Sequence, residues 1–321
     1  MELIHTCLVD HKELTHEKFD VIIAASGYQQ RCTYLMQYIK QKTGIRLLIT
    51  FSEDNFKKER ALNVKYFTNQ GFTTVEASPD NDSEITRVLK KICSSFNTEE
   101  LRILVDYSCM PKKWFAVILD YFMSNELCIK RLNTYFSYTP TEFNLKKSTS
   151  SIKYFGPILN NNQRLPSSKP VSLIIGLGRN SDAAVDVISK IRPERIFVFL
   201  PDPAFDKSYS DFILESNRRL IKLLPADHLL TYPVDNTDEI NMQLTSLCLD
   251  LRLDSRVMIL PHGPKTFALI SLVLAARYPD IWLWEITTKT LTTETEGIPN
   301  GEPVVAKAVF CQEDDEDENE Y

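Results

Sequence analysis

The sequence lacks the signature motifs of several large enzyme and metal-binding classes. None of the patterns GxxxxGK[ST], HExxH, GxSxG or an EF-hand loop occurs in its 321 residues, so P-loop nucleotide hydrolases, zinc peptidases, serine hydrolases and EF-hand proteins lose support. The seven cysteines are scattered, without a CxxC pair or a Cys/His cluster. We therefore expect reduced thiols in a cytoplasmic protein, without structural zinc and without a cofactor.

Long apolar runs and a leader pattern are also missing. No run reaches the roughly 18 apolar residues of a membrane-spanning helix, and the N-terminal MELIHTCLVDHKEL has no basic region followed by an apolar one. These absences predict a soluble, cytoplasmic protein without a membrane partner.

Positive charge is not in excess. The net charge is −6, and the last ten residues, QEDDEDENEY, contain four Glu and three Asp, so the rest of the chain is close to neutral. We expect no long nucleic acid as a partner, because wrapping one needs a basic surface. The acidic tail, residues 312–321, is predicted to be disordered.

What is present is one α/β pattern that occurs twice. Residues 256–285 predict an apolar strand, a polar turn containing a Pro-Lys pair, an amphipathic helix and a second strand, and residues 101–121 repeat the first three parts. Segments of equal character, in the same order, are 19–39 with 171–191, 46–54 with 195–202, and 101–121 with 256–285. The pattern indicates internal duplication.

The fold class follows from the alternation of short apolar strands with helices. We predict an α/β protein with two tandem Rossmann-like, doubly wound parallel sheets. The expected organisation is a first domain at 1–140, a linker at 141–169 with a β-hairpin near 153–155, a second domain at 170–311 and the tail. Residues 128–138 and 303–310 are predicted edge strands of the first and second domain, and 32–42 and 209–223 are predicted helices.

Ligands of open parallel sheets bind outside the carboxyl ends of the strands. Arg, Lys and helix N-termini at such a place favour phosphate or carboxylate, so a nucleotide-like ligand is expected. The candidate ligand-binding residues are Ser26, Gly27, Arg31, Asp106, Ser108 and Lys112 in the first unit, and Gly178, Arg179, His262, Gly263 and Lys265 in the second. Further strand-end candidates are Tyr28, Glu53, Asp54, Asn180 and Asp202, and the proposed stacking faces are Tyr28, Tyr107, Trp114, Phe136 and Trp284.

Each candidate also has a structural interpretation. Asp106 is placed to order its own turn, His262 to be a hydrogen-bonding turn residue, and Arg31 and Arg179 to pair with a strand-end Asp. Lysine at a helix start opposes the helix dipole, which favours a ligand role for Lys112 and Lys265. GLGRNS at 176–181 lacks the third glycine of a dinucleotide fingerprint.

On these residues the chain resembles the CRISPR-associated Rossmann-fold (CARF) sensor domains. The resemblance rests on Ser26-Gly27 and Asp106, Ser108 and Lys112 in the first copy, and on Gly176, Gly178, His262, Gly263 and Lys265 in the second. The glycines usual in the family's turn are Cys109-Met110 in the first copy, and Pro261 replaces the aspartate in the second.

This resemblance implies a tandem pseudo-dimer that binds a nucleotide or short cyclic oligonucleotide over a shared pocket, acts in antiviral (anti-phage) defence and signals through a separate effector protein or through homo-oligomerisation. Two alternatives stay open. One is an enzyme acting on a nucleotide or RNA, with catalytic residues unknown, and the other is a non-catalytic subunit of a complex.

Overall fold

The chain divides into two compact units. The structure, a computed structural model, describes residues 1–39, 41, 44–52, 57–79, 81–125, 127–143, 150–159, 169–179, 181–290 and 297–312. The first unit comprises Met1–Tyr28, Cys32–Ser137 and the chain from Val305 onward, and the second comprises Gln29–Arg31 and Tyr138–Val304. This division differs from the predicted boundaries at 140, 170 and 311, because the main part of the second unit begins at Tyr138 and the chain from Val305 onward groups with the first. The predicted tail lies outside the described residues apart from Gln312.

The first unit contains a seven-stranded sheet. With strands numbered in chain order, it is built from β1 (Glu2–Val9), β2 (Val21–Ala25), β3 (Ile45–Phe51), β4 (Thr73–Ala77), β5 (Thr98–Asp106), β6 (Ile129–Tyr138) and β13 (Val304–Cys311). The strand order is β1-β13-β6-β5-β2-β3-β4. The pairs β2–β3, β3–β4, β2–β5 and β5–β6 are parallel, whereas β1 is antiparallel to β13. Every residue of β2 is buried, as expected for the central strand of a parallel sheet.

The second unit contains a six-stranded sheet. Its strands are β7 (Ser150–Pro157), β8 (Val171–Gly176), β9 (Arg195–Pro201), β10 (Leu229–Tyr232), β11 (Arg256–Pro261) and β12 (Trp282–Thr290). Their order is β10-β9-β8-β11-β12-β7. All neighbours are parallel except β12 and β7, which are antiparallel.

The two units repeat one Rossmann-like topology. Without β1 and β13, the order in the first sheet is β4-β3-β2-β5-β6, and without β7 the order in the second is β10-β9-β8-β11-β12. If the five strands of each unit are numbered along the chain, both sheets have the order 3-2-1-4-5. Backbone contacts repeat as well: Ser26 N donates to Ile49 O at 2.9 Å, and Leu177 N donates to Phe199 O at 2.8 Å. The predicted fold class is confirmed.

Helices connect the parallel strands. They are α1 (Lys57–Asn69), α2 (Ser83–Cys93), α3 (Lys112–Ser124), α4 (Ser181–Ile191), α5 (Lys207–Ser216), α6 (Arg218–Ile221), α7 (Thr237–Leu251) and α8 (Lys265–Arg277). The helices α3 and α8 follow the equivalent strands β5 and β11, and both are buried over most of their length. A helix that is apolar on nearly every side belongs in a core, so the turn before each is held by a rigid element. Within the described residues, no helix has the length and hydropathy needed to span a membrane.

Three strand assignments from the sequence are wrong. Residues 303–310 were expected at the edge of the second domain, but β13 lies between β1 and β6 in the first sheet. Consequently β6, expected at an edge, is internal. In the part of the linker that the structure describes, Ser150–Pro157 forms β7, which pairs with β12 of the second sheet rather than with a hairpin partner. Strand partners are chosen by tertiary packing, because any extended segment offers the same backbone donors and acceptors.

Two predicted helices also differ. The segment predicted as a helix at 32–42 is a 3₁₀ helix at Gln30–Gln37, a tighter form common in short connections. The helix expected at 209–223 is divided into α5 and α6 at Asn217. The Asn217 side chain donates to Ile213 O at 2.8 Å, which is the local competition with helix backbone that makes asparagine a poor interior residue.

Candidate functional site

The first turn of unit 1 is packed against the turn after β5. Ser26 is buried, and Gly27 N donates to Cys32 Sγ at 3.2 Å. A Cβ on Gly27 would lie 2.7 Å from both Cβ and Sγ of Cys109, so glycine is required here by close approach. Ser26 and Gly27 therefore support the turn from inside.

Asp106 orders the turn that follows β5. Its Oδ1 accepts hydrogen bonds from Ser108 N at 3.0 Å and from the Ser108 hydroxyl. Asp106 is only 3% exposed and Ser108 only 1%, so neither is placed at the surface. These contacts match the structural interpretation of Asp106, a side chain that satisfies its own turn.

Lys112 and Lys265 occupy equivalent positions. Each is the first residue of a 13-residue helix, α3 or α8, and each follows a proline N-cap, Pro111 or Pro264. Proline has no side-chain acceptor for the first helical N–H groups, so neither cap neutralises its helix N-terminus. Both lysines are half-buried.

The turns of unit 2 approach each other even more closely. A Cβ on Gly178 would lie 2.1 Å from His262 O, and one on Gly263 would lie 2.7 Å from Leu177 O. The two turns are thus in backbone contact. His262, half-buried, contributes its carbonyl to this contact.

Each of the two glycine turns is supported by an asparagine that was not predicted from the sequence. Asn63 Nδ2, on α1, donates to Gly27 O at 2.7 Å, and Asn217 Nδ2 donates to Gly178 O at 3.1 Å. Their positions in the two units correspond, since α1 follows β3 and α5 follows β9. The signal available in the sequence was an asparagine within or directly after an otherwise helical segment, where it is a weak helix former.

Unit 2 contains a pocket of about 270 Å³ that brings two of the predicted arginines together. Its lining residues are Gln29, Arg31, Tyr138, Pro140, Thr141, Glu142, Phe143, Arg179, Ala204, Phe205, Asp206, Tyr209, Val234, Pro264 and Gly297. Arg31 was expected in the first unit, but residues 29–31 group with the second, because Arg31 N donates to Gly297 O at 3.0 Å and Arg31 Nη1 donates to Thr139 O at 3.1 Å.

Both arginines of this arginine pocket lie over aromatic rings. The guanidinium carbon of Arg31 is 5.4 Å from the centre of the Tyr138 ring, and Arg31 Nε donates to Gln29 Oε1 at 2.9 Å. The guanidinium of Arg179, an exposed residue, lies 4.8 Å from the Phe143 ring and 5.9 Å from the Tyr209 ring. Such contacts orient a guanidinium without neutralising its charge.

Two tyrosines of unit 2, Tyr209 and Tyr232, have pKa values raised by burial. Burial raises the pKa of Tyr209 far above its ordinary value although the charge of Arg179 opposes the shift. Burial also raises the pKa of Tyr232, and the nearby Tyr209 and Tyr138 add to the shift. Around neutral pH both hydroxyls are therefore protonated rather than anionic.

The expectation that strand-end aromatics offer stacking faces is wrong for four residues. Tyr107, Trp114 and Phe136 are at most 1% exposed, and Trp284 is 8% exposed. Trp114 Nε1 donates to Ser78 O at 3.1 Å, and Trp284 packs against Phe155 and Trp282. These rings belong to the cores, where their large apolar area contributes most.

The predictions for three strand-end residues and for a shared cleft stay predictions. Glu53, Asp54 and Asn180 lie outside the described residues, and the single cleft shared by the turns of both units stays a prediction. Within the described residues, no group of three or more His, Cys, Asp or Glu side chains is arranged to hold a metal ion.

Comparisons with known proteins do not assign the chain to a family. No protein-family profile and no curated protein matches it. A solved structure that aligns is the cytoplasmic domain of a prokaryotic cation chloride cotransporter, at 9% identity, over 84% of this chain and 95% of that one. The TM-score is 0.25, and a similarity at this level carries no argument about function.

Proposed function

We propose that the protein is a nucleotide-type ligand sensor, similar to the CARF-like sensors, and that unit 2 binds the phosphate of its ligand in the arginine pocket. One observation carries this proposal: Arg31 and Arg179, from segments far apart in sequence, line the same pocket. A guanidinium presents several N–H groups in a fixed fork that matches phosphate geometry, and two such groups bind a phosphate better than scattered surface charges do.

The rest of the pocket fits the other parts of a nucleotide. Tyr138, Phe143 and Tyr209 supply aromatic surface for a base, and Glu142 and Asp206 supply acceptors for ribose hydroxyls or base amino groups. The carboxylates also limit how much negative charge the pocket attracts. Pro264 places the start of α8 at the pocket wall, where helix N–H groups favour an anion.

The volume limits the size of the bound moiety. About 270 Å³ lies just below the roughly 300–1,000 Å³ of pockets that enclose drug-sized ligands. We therefore assign the pocket one nucleotide unit of a ligand rather than a whole ring of nucleotides. The cytoplasmic location, the antiviral role and the separate effector belong to the same proposal and rest on the cysteine pattern and the CARF resemblance.

Isothermal titration of the full chain tests this function with AMP, ATP and cyclic di-, tri- and tetranucleotides as probes. At least one probe should bind, and Arg31→Ala and Arg179→Ala should each weaken it by about 10- to 150-fold, since a hydrogen bond to a charged group contributes roughly 1.5–3 kcal/mol. Arg179→Lys should recover only part of the loss, because lysine keeps the charge but not the fork.

The matched control is Arg219→Ala, an exposed arginine of α6 in the same unit that is outside the pocket. Its affinity should equal that of the unchanged protein. Two results would refute the proposal: no heat of binding with any probe at millimolar concentration, or an equal loss of affinity in the Arg219 and Arg179 variants.

A further inference from the structure

Two thiols of unit 1 meet at the Gly27 turn. Cys32 Sγ accepts from Gly27 N at 3.2 Å and donates to Ala25 O at 3.1 Å. Cys109 approaches the same glycine so closely that a Cβ on Gly27 would be 2.7 Å from its Sγ. The Cys109 side chain acts directly on the pKa of the Cys32 thiol, so the two side chains are neighbours, although 77 positions separate them in the sequence.

We propose that Cys32 and Cys109 form a redox-active dithiol, which a hydroperoxide oxidises to a disulfide across the Gly27 turn. Disulfides of cytoplasmic proteins are usually transient and regulatory rather than structural. The proposal concerns unit 1 and does not depend on ligand binding in unit 2.

The different burial of the two thiols assigns their roles. Cys32 is 2% exposed, whereas Cys109 is partly buried, so we assign to Cys109 the role of the thiol that meets the oxidant. The hydrogen bond with Cys109, burial and the negative charge of Asp106 raise the pKa of Cys32 well above its ordinary value. Cys32 is thus a poor first nucleophile, and Cys109 is the thiol that reacts with peroxide.

The reaction balances in two steps. In the first, Cys109 sulfur attacks one peroxide oxygen, the O–O bond breaks, and the thiol becomes a sulfenic acid while one water (or an alcohol, from an organic hydroperoxide) leaves. In the second, Cys32 sulfur attacks Cys109 sulfur, the S–O bond breaks, and the hydroxyl leaves as water with the proton of Cys32. Two thiols lose two electrons in total, and the peroxide gains them.

The other five cysteines provide the background for this pair. Cys93 and Cys248 are buried, Cys128 is exposed, and Cys7 and Cys311 are partly buried on paired strands. Cys7 is opposite Lys307, and Cys311 is opposite Glu2, so this register keeps their sulfurs several residues apart. Unit 2 has His262 where unit 1 has Cys109 against the turn glycine, so the proposed switch is specific to unit 1.

Peptide mapping of the full chain tests the proposal. After treatment with hydrogen peroxide, blocking of remaining thiols and digestion without reductant, the Cys32 and Cys109 peptides should appear joined, about 2 Da lighter than their summed thiol masses, and dithiothreitol should separate them. Cys109→Ser should abolish the joined species. Cys32→Ser should instead leave Cys109 as a sulfenic acid that a 1,3-diketone reagent labels several-fold more than in the unchanged protein.

Cys93→Ser is the control and should leave the joined peptide unchanged. The proposal is overturned if peroxide links Cys109 to a different cysteine. It is also overturned if Cys109 is over-oxidised to sulfinic acid equally fast with and without Cys32, because a resolving thiol in contact would prevent this.

Discussion

Replacing Gly178 by alanine tests the backbone contact on which the unit 2 turns depend. The new Cβ would be 2.1 Å from His262 O, whereas carbon and oxygen atoms rarely approach below about 3.3 Å without strain. One turn must therefore move by roughly 1 Å away from the other. Both turns are anchored, since Asn217 holds Gly178 O and α8 starts directly after Pro264.

The energetic cost is expected near the upper end of overpacking substitutions, about 3 kcal/mol. For a unit of this size, that lowers the melting temperature by roughly 6–12 °C. Because Arg179 directly follows Gly178, a shift of this turn also moves Arg179, and the affinity of the arginine pocket for its nucleotide-type ligand should decrease.

The Gly27→Ala substitution in unit 1 gives a matched comparison. Its Cβ would meet Cβ and Sγ of Cys109, and those are side-chain atoms that Cys109→Gly removes. The double variant Gly27→Ala/Cys109→Gly should therefore recover about 1–2 kcal/mol relative to the sum of the single changes. Gly178→Ala/His262→Gly should recover almost nothing, because the clashing atom is a main-chain oxygen.

The assay is urea unfolding followed by tryptophan fluorescence, with the free energy of unfolding obtained by linear extrapolation. Trp282 and Trp284 belong to unit 2 and Trp114 to unit 1, so Trp114→Phe and the double Trp282→Phe/Trp284→Phe backgrounds separate the units. A Gly178→Ala protein that loses less than about 0.5 kcal/mol, the usual range of harmless surface changes, would refute the reasoning. Equal rescue by His262→Gly and Cys109→Gly would refute it too.

Three further predictions use the same unfolding measurement. Asn217→Ala should cost about 1–3 kcal/mol, because the buried Gly178 O loses its side-chain donor, whereas Ile213 O keeps the backbone N–H of residue 217; a loss below about 0.5 kcal/mol would contradict this. Burial raises the pKa of the Cys248 thiol from its ordinary value of 9.0 to about 12, so its contribution is complete below pH 9 and is lost as the pH rises toward 12. Between pH 8 and 10 the unchanged protein should lose about 1.4 kcal/mol at this site that Cys248→Ala does not lose; equal pH profiles would contradict it. The buried Tyr232 hydroxyl has no hydrogen-bond partner among the described residues, so Tyr232→Phe should raise the free energy of unfolding by about 1 kcal/mol, and a decrease would mean that the hydroxyl has a partner.

The fold was largely predictable from the sequence, because local patterns repeat in it. Continuous apolar runs such as β2 and β8 identify buried parallel strands, and the repeated Pro-Lys turn marks the start of α3 and α8. Strand partners were not predictable. The burial pattern of β13 shows an internal strand, but nothing in it distinguishes the first sheet from the second.

The candidate site was predictable in part. Arg31 and Arg179 were found because each follows a strand-end glycine, and the structure brings both to one pocket. Asp106 was a ligand-binding candidate in the sequence, but its described hydrogen bonds go to Ser108 in its own turn. Asn63 and Asn217 could not be identified from the sequence, because an asparagine that supports a distant carbonyl has no characteristic spacing in sequence.

The sequence by itself determined the elements of this protein: two rounds of alternating strand and helix, with cationic and glycine-containing turns after the strands. Periodicity and turn chemistry are local, so they can be read from neighbouring residues. Only the tertiary structure decided which elements and side chains are neighbours: β13 joins the first sheet, Arg31 lines the same pocket as Arg179, and Cys32 lies beside Cys109. The physical reason is that pairing and packing are selected by the free energy of the whole chain, and contacts between residues far apart in sequence leave no local pattern.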